Sequence, residues 1–402
     1  MINDVSFIIN EAKSHEGELI QVRRFLHTIP EIGDELPRTK RFVCEYLDKI
    51  GVPYRTFPDF DGVVAEINGG SCAKTVAFRA DMDALHIDEK TDVPFKSEIE
   101  GQMHGCGHDA HTAMLLLAAK LMNEHREHFK GKIRFIFQTG EETGTGAKKM
   151  IANGAIDGVD ALFAIHVGNL AGDLLSAGDF AILPGFVSAG KIKFTITIKG
   201  KGTHSAFPEK GIDPIIVAAK ILVAFNELMK KEIPEGTPAV LSVGSVYAGE
   251  DHNTIPEMAT IKGSIRTQDP SVGEFIAKRV IELSESMAQE AGATAILDVR
   301  KGSKSVDNDK AMAELAARAV ADIVGEEKVH TTLPRPLMAS DDFANYAERI
   351  PSVYFMLHTN NEKKGIVETN HNPYFDIDED VLASGVAAYI SIASRFLEKE
   401  NI

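Results

Sequence analysis

Short apolar runs alternate with amphipathic stretches through the first part of the chain. Residues 75–79, 133–138 and 161–166 are rich in aliphatic and aromatic side chains, which is typical of strands buried on both faces. Residues 111–124 are apolar on most faces and predict a buried helix, while residues 7–26 have apolar positions at helical spacing and predict a first helix. This alternation predicts an α/β domain with a mostly parallel central sheet covered by helices.

The pattern changes near residue 188. Residues 191–199 alternate strictly between apolar and polar, as expected for a strand with one solvent-exposed face. From this strand onward, the pattern predicts the order strand, helix, strand, strand, helix, strand. This is the order of a split βαβ, ferredoxin-like α+β unit. Because the α/β pattern then resumes, we predict a discontinuous catalytic domain at 1–186 and 300–402, with an inserted domain at 187–299.

Composition narrows the classes of function. The chain has 402 residues and a net charge of −16, so binding to nucleic acid or to an anionic membrane is not expected, since both require a basic face. It has no uninterrupted run of 18 or more apolar residues and no secretory pattern at its start. The cysteines, Cys44, Cys72 and Cys106, are odd in number and widely spaced, which fits a reducing compartment. We therefore expect a cytoplasmic protein without a membrane partner.

Polar side chains follow the predicted strands, where function collects in open α/β sheets. Asp81 and Asp83 follow the first buried strand, an adjacent glutamate pair follows the next, and Cys106 and His108 precede the buried helix. Taken singly, these are explained as well by turn-capping aspartates, a buried cysteine or an exposed acidic turn. Together, five side chains form a ligand set for two metal ions: Cys106, His108, Glu142, His166 and His371.

Two further roles are suggested by residue type. Glu141, next to a proposed ligand, is suited to act as a general base on water. In the inserted domain, His204, Asn253 and Arg266 lie at strand ends, where they could hold an oxyanion and a carboxylate. The plainer interpretation of these three is that they are ordinary polar residues at the ends of strands.

The motifs, taken in order, resemble the aminoacylase/carboxypeptidase family of metallo-amidohydrolases (the metallopeptidase-twenty family), in the branch of hippurate and auxin-conjugate hydrolases. The matching segments are residues 24–31, 78–85, 103–109, 141–142, 166, 202–208, 253–256, 263–266 and 338–343. The resemblance implies a zinc-exopeptidase-like catalytic domain and an inserted lid domain that also mediates homodimerisation. It implies hydrolysis of the amide bond of N-acyl amino acids, with N-acetyl or aromatic, hippurate-like acyl groups.

The resemblance also assigns roles to residues. Cys106, His108, Glu142, His166 and His371 would bind two divalent ions per subunit, whether Zn²⁺, Mn²⁺, Co²⁺ or Ni²⁺. Glu141 would activate water and return the proton to the departing amine. His204 would stabilise the oxyanion, reaching into the partner subunit's site, while Asn253 and Arg266 would bind the substrate carboxylate. Asp83 would orient a metal ligand without binding the metal.

The chain departs from the family pattern at positions around the proposed site. Thr139-Gly140 stands where Pro-Ala is usual, Asp341 where glutamate is usual, and Gly168 where an aromatic residue and a proline are usual. None of these is a proposed ligand, so the departures bear on substrate preference more than on chemistry.

Two alternatives stay open at this point. One is a dipeptidase or exopeptidase on the same scaffold, against which Cys106 argues because the related peptidases generally have a carboxylate there. The other is a non-catalytic metal-binding protein, against which Glu141 argues because a general base beside a complete ligand set is suited to catalysis.

Overall fold

The computed structural model describes residues 4–70 and 74–398, so Cys72 lies outside the described residues. The chain divides into two compact units. The first comprises Met1–Val187, Val306–Leu337 and Asp341–Ile402, and the second comprises Ser188–Ser305 with Met338–Ser340. We call them the catalytic unit and the inserted unit.

The first segment of the catalytic unit carries helices and strands in alternation. Its helices are α1 (Val5–Ser14), α2 (Glu16–Thr28), α3 (Pro37–Ile50), α4 (His108–Glu124) and α5 (Gly146–Ala152). Its strands are β1 (Tyr54–Thr56), β2 (Val63–Asn68), β3 (Thr75–Asp81), β4 (Lys132–Gln138), β5 (Ala161–Gly168), β6 (Phe180–Ala181) and β7 (Gly185–Phe186).

The inserted unit and the closing segment follow. The inserted unit has helices α6 (Pro214–Lys231) and α7 (Pro270–Glu290), and strands β8 (Gly190–Lys199), β9 (Thr203–His204), β10 (Ala239–Ala248), β11 (Thr254–Ile255), β12 (Met258–Thr267) and β13 (Thr294–Lys301). The closing segment has helices α8 (Lys310–Val324), α9 (Ala344–Ala347) and α10 (Leu382–Glu398), and strands β14 (Asp307–Asn308), β15 (Val329–His330) and β16 (Ser352–His358).

The catalytic unit is built on one eight-stranded sheet in the order β1-β2-β4-β3-β5-β16-β6-β15. Its central strands β4, β3, β5 and β16 are parallel, and they are flanked by antiparallel pairs at β2–β4 and β16–β6. Strands β3, β5 and β16 are buried along their whole length, as expected for parallel strands covered on both faces. The predicted α/β class with a mostly parallel central sheet is confirmed.

Hydrophobic cores lie on both faces of this sheet. Helix α4 is buried over most of its length and packs against α2, α10 and β3. The stretch Glu379–Glu398 is long and apolar enough to cross a membrane by length and hydropathy alone, but most of it is buried within the fold. Since α10 packs against α1, α4 and α8, core packing accounts for its apolar composition.

The predicted single helix over residues 7–26 is wrong in one respect. The structure has two helices there, separated at His15, whose backbone (φ −103°, ψ 9°) leaves the helical conformation. The His15 N–H still bonds to the Ala12 carbonyl, which closes α1. Gly17, in the first turn of α2, is a weak helix former and lowers the cost of such a break.

The inserted unit has a four-stranded antiparallel sheet in the order β10-β12-β8-β13, against which α6 and α7 pack. With β8, β10, β12 and β13 as first to fourth strands, this is the connection order predicted for a ferredoxin-like unit. Each helix starts at a capping aspartate followed by proline: Asp213 accepts from the Ile215 N–H and Asp269 from the Ser271 N–H. The lid and dimerisation roles of this unit stay predictions.

Candidate metal centre

The predicted site residues of the catalytic unit lie at the carboxyl ends of its parallel strands. Strand β3 ends at Asp81, β4 ends just before the Glu141–Glu142 turn, and His166 lies near the end of β5. Helix α4 begins at His108, directly after Gly107, whose positive φ of 86° makes the sharp entry that brings Cys106 to the same edge. Since parallel strands end at one edge of a sheet, residues distant in sequence meet there.

The structure brings the five predicted ligands together. In each of two groups, Cys106 with His108 and His166, and Cys106 with Glu142 and His371, the potential ligand atoms lie within 4.8 Å of one another. Cys106 Sγ is 3.5 Å from His166 Nε2, and His371 Nε2 is 3.2 Å from Glu142 Oε1. Cys106 belongs to both groups. Two ions held by these groups would therefore lie close to each other.

The donor atoms fit divalent metal ions. His108 Nε2 is buried and forms no hydrogen bond within the described part of the chain, so it faces the centre. Glu142 Oε1 is also buried and has His371 Nε2 beside it, at 3.2 Å. The other nitrogen of His108, Nδ1, donates to the Asp83 carbonyl at 2.8 Å, which orients the ring. A thiolate, imidazoles and a carboxylate form the donor set of zinc and other borderline-soft ions.

Charge in the centre also favours a cation. Hydrogen bonds to Cys106 and Glu142 raise the pKa of His371 to about 10. Burial alone would raise the pKa of Glu142, but its hydrogen bond to His371 and the charge of His108 hold it below its usual value. The negative charge that keeps a proton on His371 is the charge that a divalent ion would neutralise.

Asp83 supports the glutamate turn. Its carboxylate oxygens accept the backbone N–H groups of Glu141 and Glu142, each at 3.1 Å, and Oδ1 lies 3.5 Å from His108 Nδ1. One carboxylate therefore fixes both glutamates relative to α4. This geometry is consistent with the predicted orienting role.

Glu141 is buried beside the proposed ligands. Its Oε1 accepts the backbone N–H of Asp342 at 3.2 Å. Burial, and then the charges of Asp341, Glu142 and Asp342, raise the pKa of Glu141 well above its usual value. Cations bound nearby would oppose that rise, so its proton affinity is set by the balance between acidic neighbours and metal.

A buried network of ion pairs around Arg79, next to the proposed metal centre, was not predicted. Arg79 forms ion pairs with Asp81, Asp341 and Asp342, and its Nε donates to Gln138 Oε1 at 3.0 Å. The arginine thereby holds the loop that contacts Glu141. The sequence signal was the Arg-Ala-Asp motif at the end of β3, but the partners Asp341 and Asp342 lie 262 and 263 positions further along the chain.

His111 was also given no role by sequence. Its Nδ1 donates to Asp81 Oδ1 at 2.5 Å and its Nε2 accepts the Val167 N–H at 2.7 Å, which fixes the tautomer. This ring joins the end of β3 to the backbone following His166. Both ring nitrogens are used in hydrogen bonds, so His111 has a supporting position.

The inserted unit brings two of its three predicted residues together. His204 pairs with Thr254 between β9 and β11, and the Ser205 N–H donates to the Asn253 carbonyl at 2.9 Å. Arg266 lies on β12, and its side chain forms no ion pair with a carboxylate within the described residues. Partial burial, and then the neighbouring Arg266, lower the pKa of Lys191 on the adjacent strand, so positive charge accumulates there.

Comparison with known proteins shows which proteins this chain is similar to. The model of Peptidase family M20/M25/M40 matches residues 77–395. The chain is 35% identical over 383 residues to IAA-amino acid hydrolase ILR1-like 5 of Arabidopsis thaliana, covering 94% of this chain and 86% of that protein. It is 35% identical over 386 residues to N-acetyl-L-cysteine deacetylase of Bacillus subtilis, covering 96% and 90%.

A solved structure is similar along the same length. The YXEP protein of Bacillus subtilis, described as a dinuclear metal binding peptidase of the M20 family, matches with a TM-score of 0.83 and 32% identity. The match covers 96% of this chain and 99% of that one. The likeness in sequence and fold therefore extends over the residues of both units.

Proposed function

The chain belongs to peptidase family M20/M25/M40 and is a metal-dependent amidohydrolase; on that premise we propose that it hydrolyses the amide bond of N-acyl amino acids. N-acetyl and aromatic-acyl amino acids are the first candidates, because similar proteins are named for deacetylation of N-acetyl-L-cysteine and for hydrolysis of IAA-amino acids. The observation that carries the proposal is the convergence of five ligand-type side chains around Cys106 with Glu141 beside them.

We assign Cys106, His108, Glu142, His166 and His371 to two divalent ions. Ions held there would supply Lewis-acid activation of water and of the scissile carbonyl. Glu141 accepts the proton of the attacking water and delivers it to the departing amine nitrogen. Its position supports this role, because the Asp342 N–H and the turn held by Asp83 keep the carboxylate at the edge of the ligand cluster.

The inserted unit supplies groups for the rest of the substrate. In the proposal, His204 stabilises the oxyanion of the tetrahedral intermediate in the site of the partner subunit, and the protein is a homodimer through its inserted unit. Asn253 and Arg266 bind the substrate carboxylate. The guanidinium of Arg266 pairs with no carboxylate among residues 4–70 and 74–398 and lies next to Lys191, so it is suited to a substrate carboxylate by its charge and its forked geometry.

The proposed location is the cytoplasm. Cys44 and Cys106 are free thiols in the structure, and Cys106 functions as a ligand only when reduced. A reducing compartment would keep Cys106 in that form, which supports the proposed location.

The test is amine release from a panel of N-acyl amino acids by metal-depleted protein, before and after addition of Zn²⁺, Mn²⁺, Co²⁺ or Ni²⁺. Metal should restore hydrolysis, and Glu141→Gln should lower kcat by about 10²- to 10⁴-fold while metal still binds. Glu127→Gln, at an exposed glutamate of the catalytic unit, is the matched control and should behave as wild type.

The same panel separates the alternatives. Dipeptides hydrolysed faster than N-acyl amino acids would replace the proposal with a peptidase function. Metal binding without hydrolysis of either class would contradict catalysis on linear amides altogether.

A further inference from the structure

The side chain of Asn370, next to the proposed ligand His371, is buried and forms several contacts in the catalytic unit. Its Nδ2 donates to the carbonyl of Cys106 and to the carbonyl of Val167, each at 3.2 Å, and lies 3.8 Å from Cys106 Sγ. Its Oδ1 accepts the Asn169 N–H at 3.0 Å. A single amide group thus bonds to backbone groups of the Cys106 loop and of the end of β5, and its nitrogen also approaches a sulfur.

These partners belong to the three segments that carry proposed ligands. Cys106 is itself a ligand, Val167 follows His166, and Asn370 precedes His371. Cys106 and Asn370 are 264 positions apart, so local chain geometry cannot set their separation. The amide instead joins the segments directly, and we call this set of hydrogen bonds the Asn370 clasp.

The backbone at His371 requires such support. His371 has a positive φ of 69°, which is the one such value at a non-glycine residue within 4–70 and 74–398. Its N–H donates to the Gly105 carbonyl at 2.7 Å, so the ligand is tied to the Cys106 segment on this side also. Uncommon backbone conformations persist where surrounding contacts fix them, and they cluster at functional sites.

Gly168 leaves the space in which the clasp forms. Its φ is 138°, and a Cβ built there would lie 2.2 Å from Asn370 Oδ1 and 2.4 Å from Asn370 Nδ2. Any side chain at position 168 would therefore displace the Asn370 amide. The glycine at position 168, which departs from the family pattern, is therefore what allows the Asn370 side chain to occupy this position.

We propose that Asn370 is a positioning residue for the metal centre, and that Gly168 is required for its position. The clasp sets the separation of the segments that present Cys106, His166 and His371. This inference rests on the proposed metal centre, but not on the identity of the substrate.

The test measures metal binding directly. Metal-depleted protein is titrated with Co²⁺ against a competing chelator, following the thiolate-to-cobalt charge-transfer band. Asn370→Ala should weaken Co²⁺ binding by about 10- to 100-fold and alter that band, as expected on loss of a residue that orients ligands. Asn372→Ala is the matched control, since the Asn372 amide bonds to Glu368 and to the Tyr374 N–H within its own segment and does not join that segment to those of Cys106 and His166.

A double-mutant comparison tests the pairing. Gly168→Ala should weaken Co²⁺ binding as Asn370→Ala does, because it displaces the same amide. In the Gly168→Ala/Asn370→Ala protein the two losses should add only in part. The second change removes the atoms with which the new Cβ collides, while the strain of alanine at a φ of 138° remains. Gly168→Ala also gives the same measurement if Asn370→Ala does not fold.

Two results would overturn the inference. One is wild-type Co²⁺ affinity and an unchanged charge-transfer band in folded Asn370→Ala, even if its metal-free melting temperature falls, because that would be a structural role only. The other is full additivity of the two substitutions. Failure of the proposed function is distinguishable, since wild-type protein would then bind Co²⁺ through the clasp-supported centre without hydrolysing N-acyl amino acids.

Discussion

His358 at the end of β16 is a buried histidine whose two ring nitrogens form no hydrogen bond within residues 4–70 and 74–398. Burial lowers the pKa of His358 to about 4 from an ordinary value of 6.5, against the opposing effects of Asn360 and Asp179. The folded protein therefore keeps this ring neutral at pH values where the unfolded chain would protonate it. Replacing His358 with glutamine removes the titration and retains a side chain of comparable size.

The size of the effect follows from proton linkage. Between the two pKa values, the unfolded chain binds a proton that the folded protein does not, so stability falls as the pH falls. The loss begins near the unfolded pKa of about 6.5 and is complete below about 4. At about pH 5, the expected cost to the free energy of unfolding is about 2 kcal/mol relative to pH 7.5.

The assay is urea unfolding followed by circular dichroism at about pH 7.5 and pH 5, with chelator present so that proton-linked metal binding does not contribute. His358→Gln should lose about 2 kcal/mol less between the two pH values than wild type. His86→Gln, at an exposed histidine, should match wild type. Equal losses in wild type and His358→Gln would refute the assignment of a neutral, buried ring.

Two other outcomes are expected. Arg79→Met leaves Asp81, Asp341 and Asp342 buried without their cation, so it should lower the free energy of unfolding by about 3–5 kcal/mol. The control Arg126→Met, at an exposed position, should change the free energy of unfolding by at most about 0.5 kcal/mol. A loss under about 1 kcal/mol for Arg79→Met in urea unfolding would contradict the network. If free metal is present at about 100 times its dissociation constant, adding a chelator should lower the free energy of unfolding by about 2.7 kcal/mol. The melting temperature should then fall by roughly 5 °C. An unchanged melting temperature would show that metal does not bind the folded state preferentially.

Features with a local signal could be predicted from the sequence. Strands β3, β4 and β5 follow from short apolar runs, and the polar residues after them could be assigned to one sheet edge because parallel strands share that edge. Cys106 and His108 stood out because metal-type side chains rarely cluster by chance. Their convergence with Glu142, His166 and His371 is what the structure adds.

Features that depend on distant partners could not be predicted. Arg79 ends an apolar run, where a charged residue normally marks the point at which a strand reaches solvent, yet its partners Asp341 and Asp342 bury it. Asn370, beside His371, has no such signal, because an asparagine among turn residues suggests only a turn. The antiparallel pairing at β16–β6 involves a two-residue strand, too short for any periodic signal.

The short pairing of β7 with β14 has a consequence for how this architecture can change. Phe186 pairs with Asp307 and Gly185 with Asn308, and the Val187 N–H bonds to the Val306 carbonyl at 2.9 Å. The strands that lead into and out of the inserted segment therefore pair with each other, as the two strands of a β-hairpin do. Such a junction tolerates inserts whose own ends lie close together, because the pairing of β7 with β14 already holds the two chain ends side by side. Exchange of residues 188–305 at this junction would leave the segments of the catalytic unit that carry the proposed metal ligands unchanged.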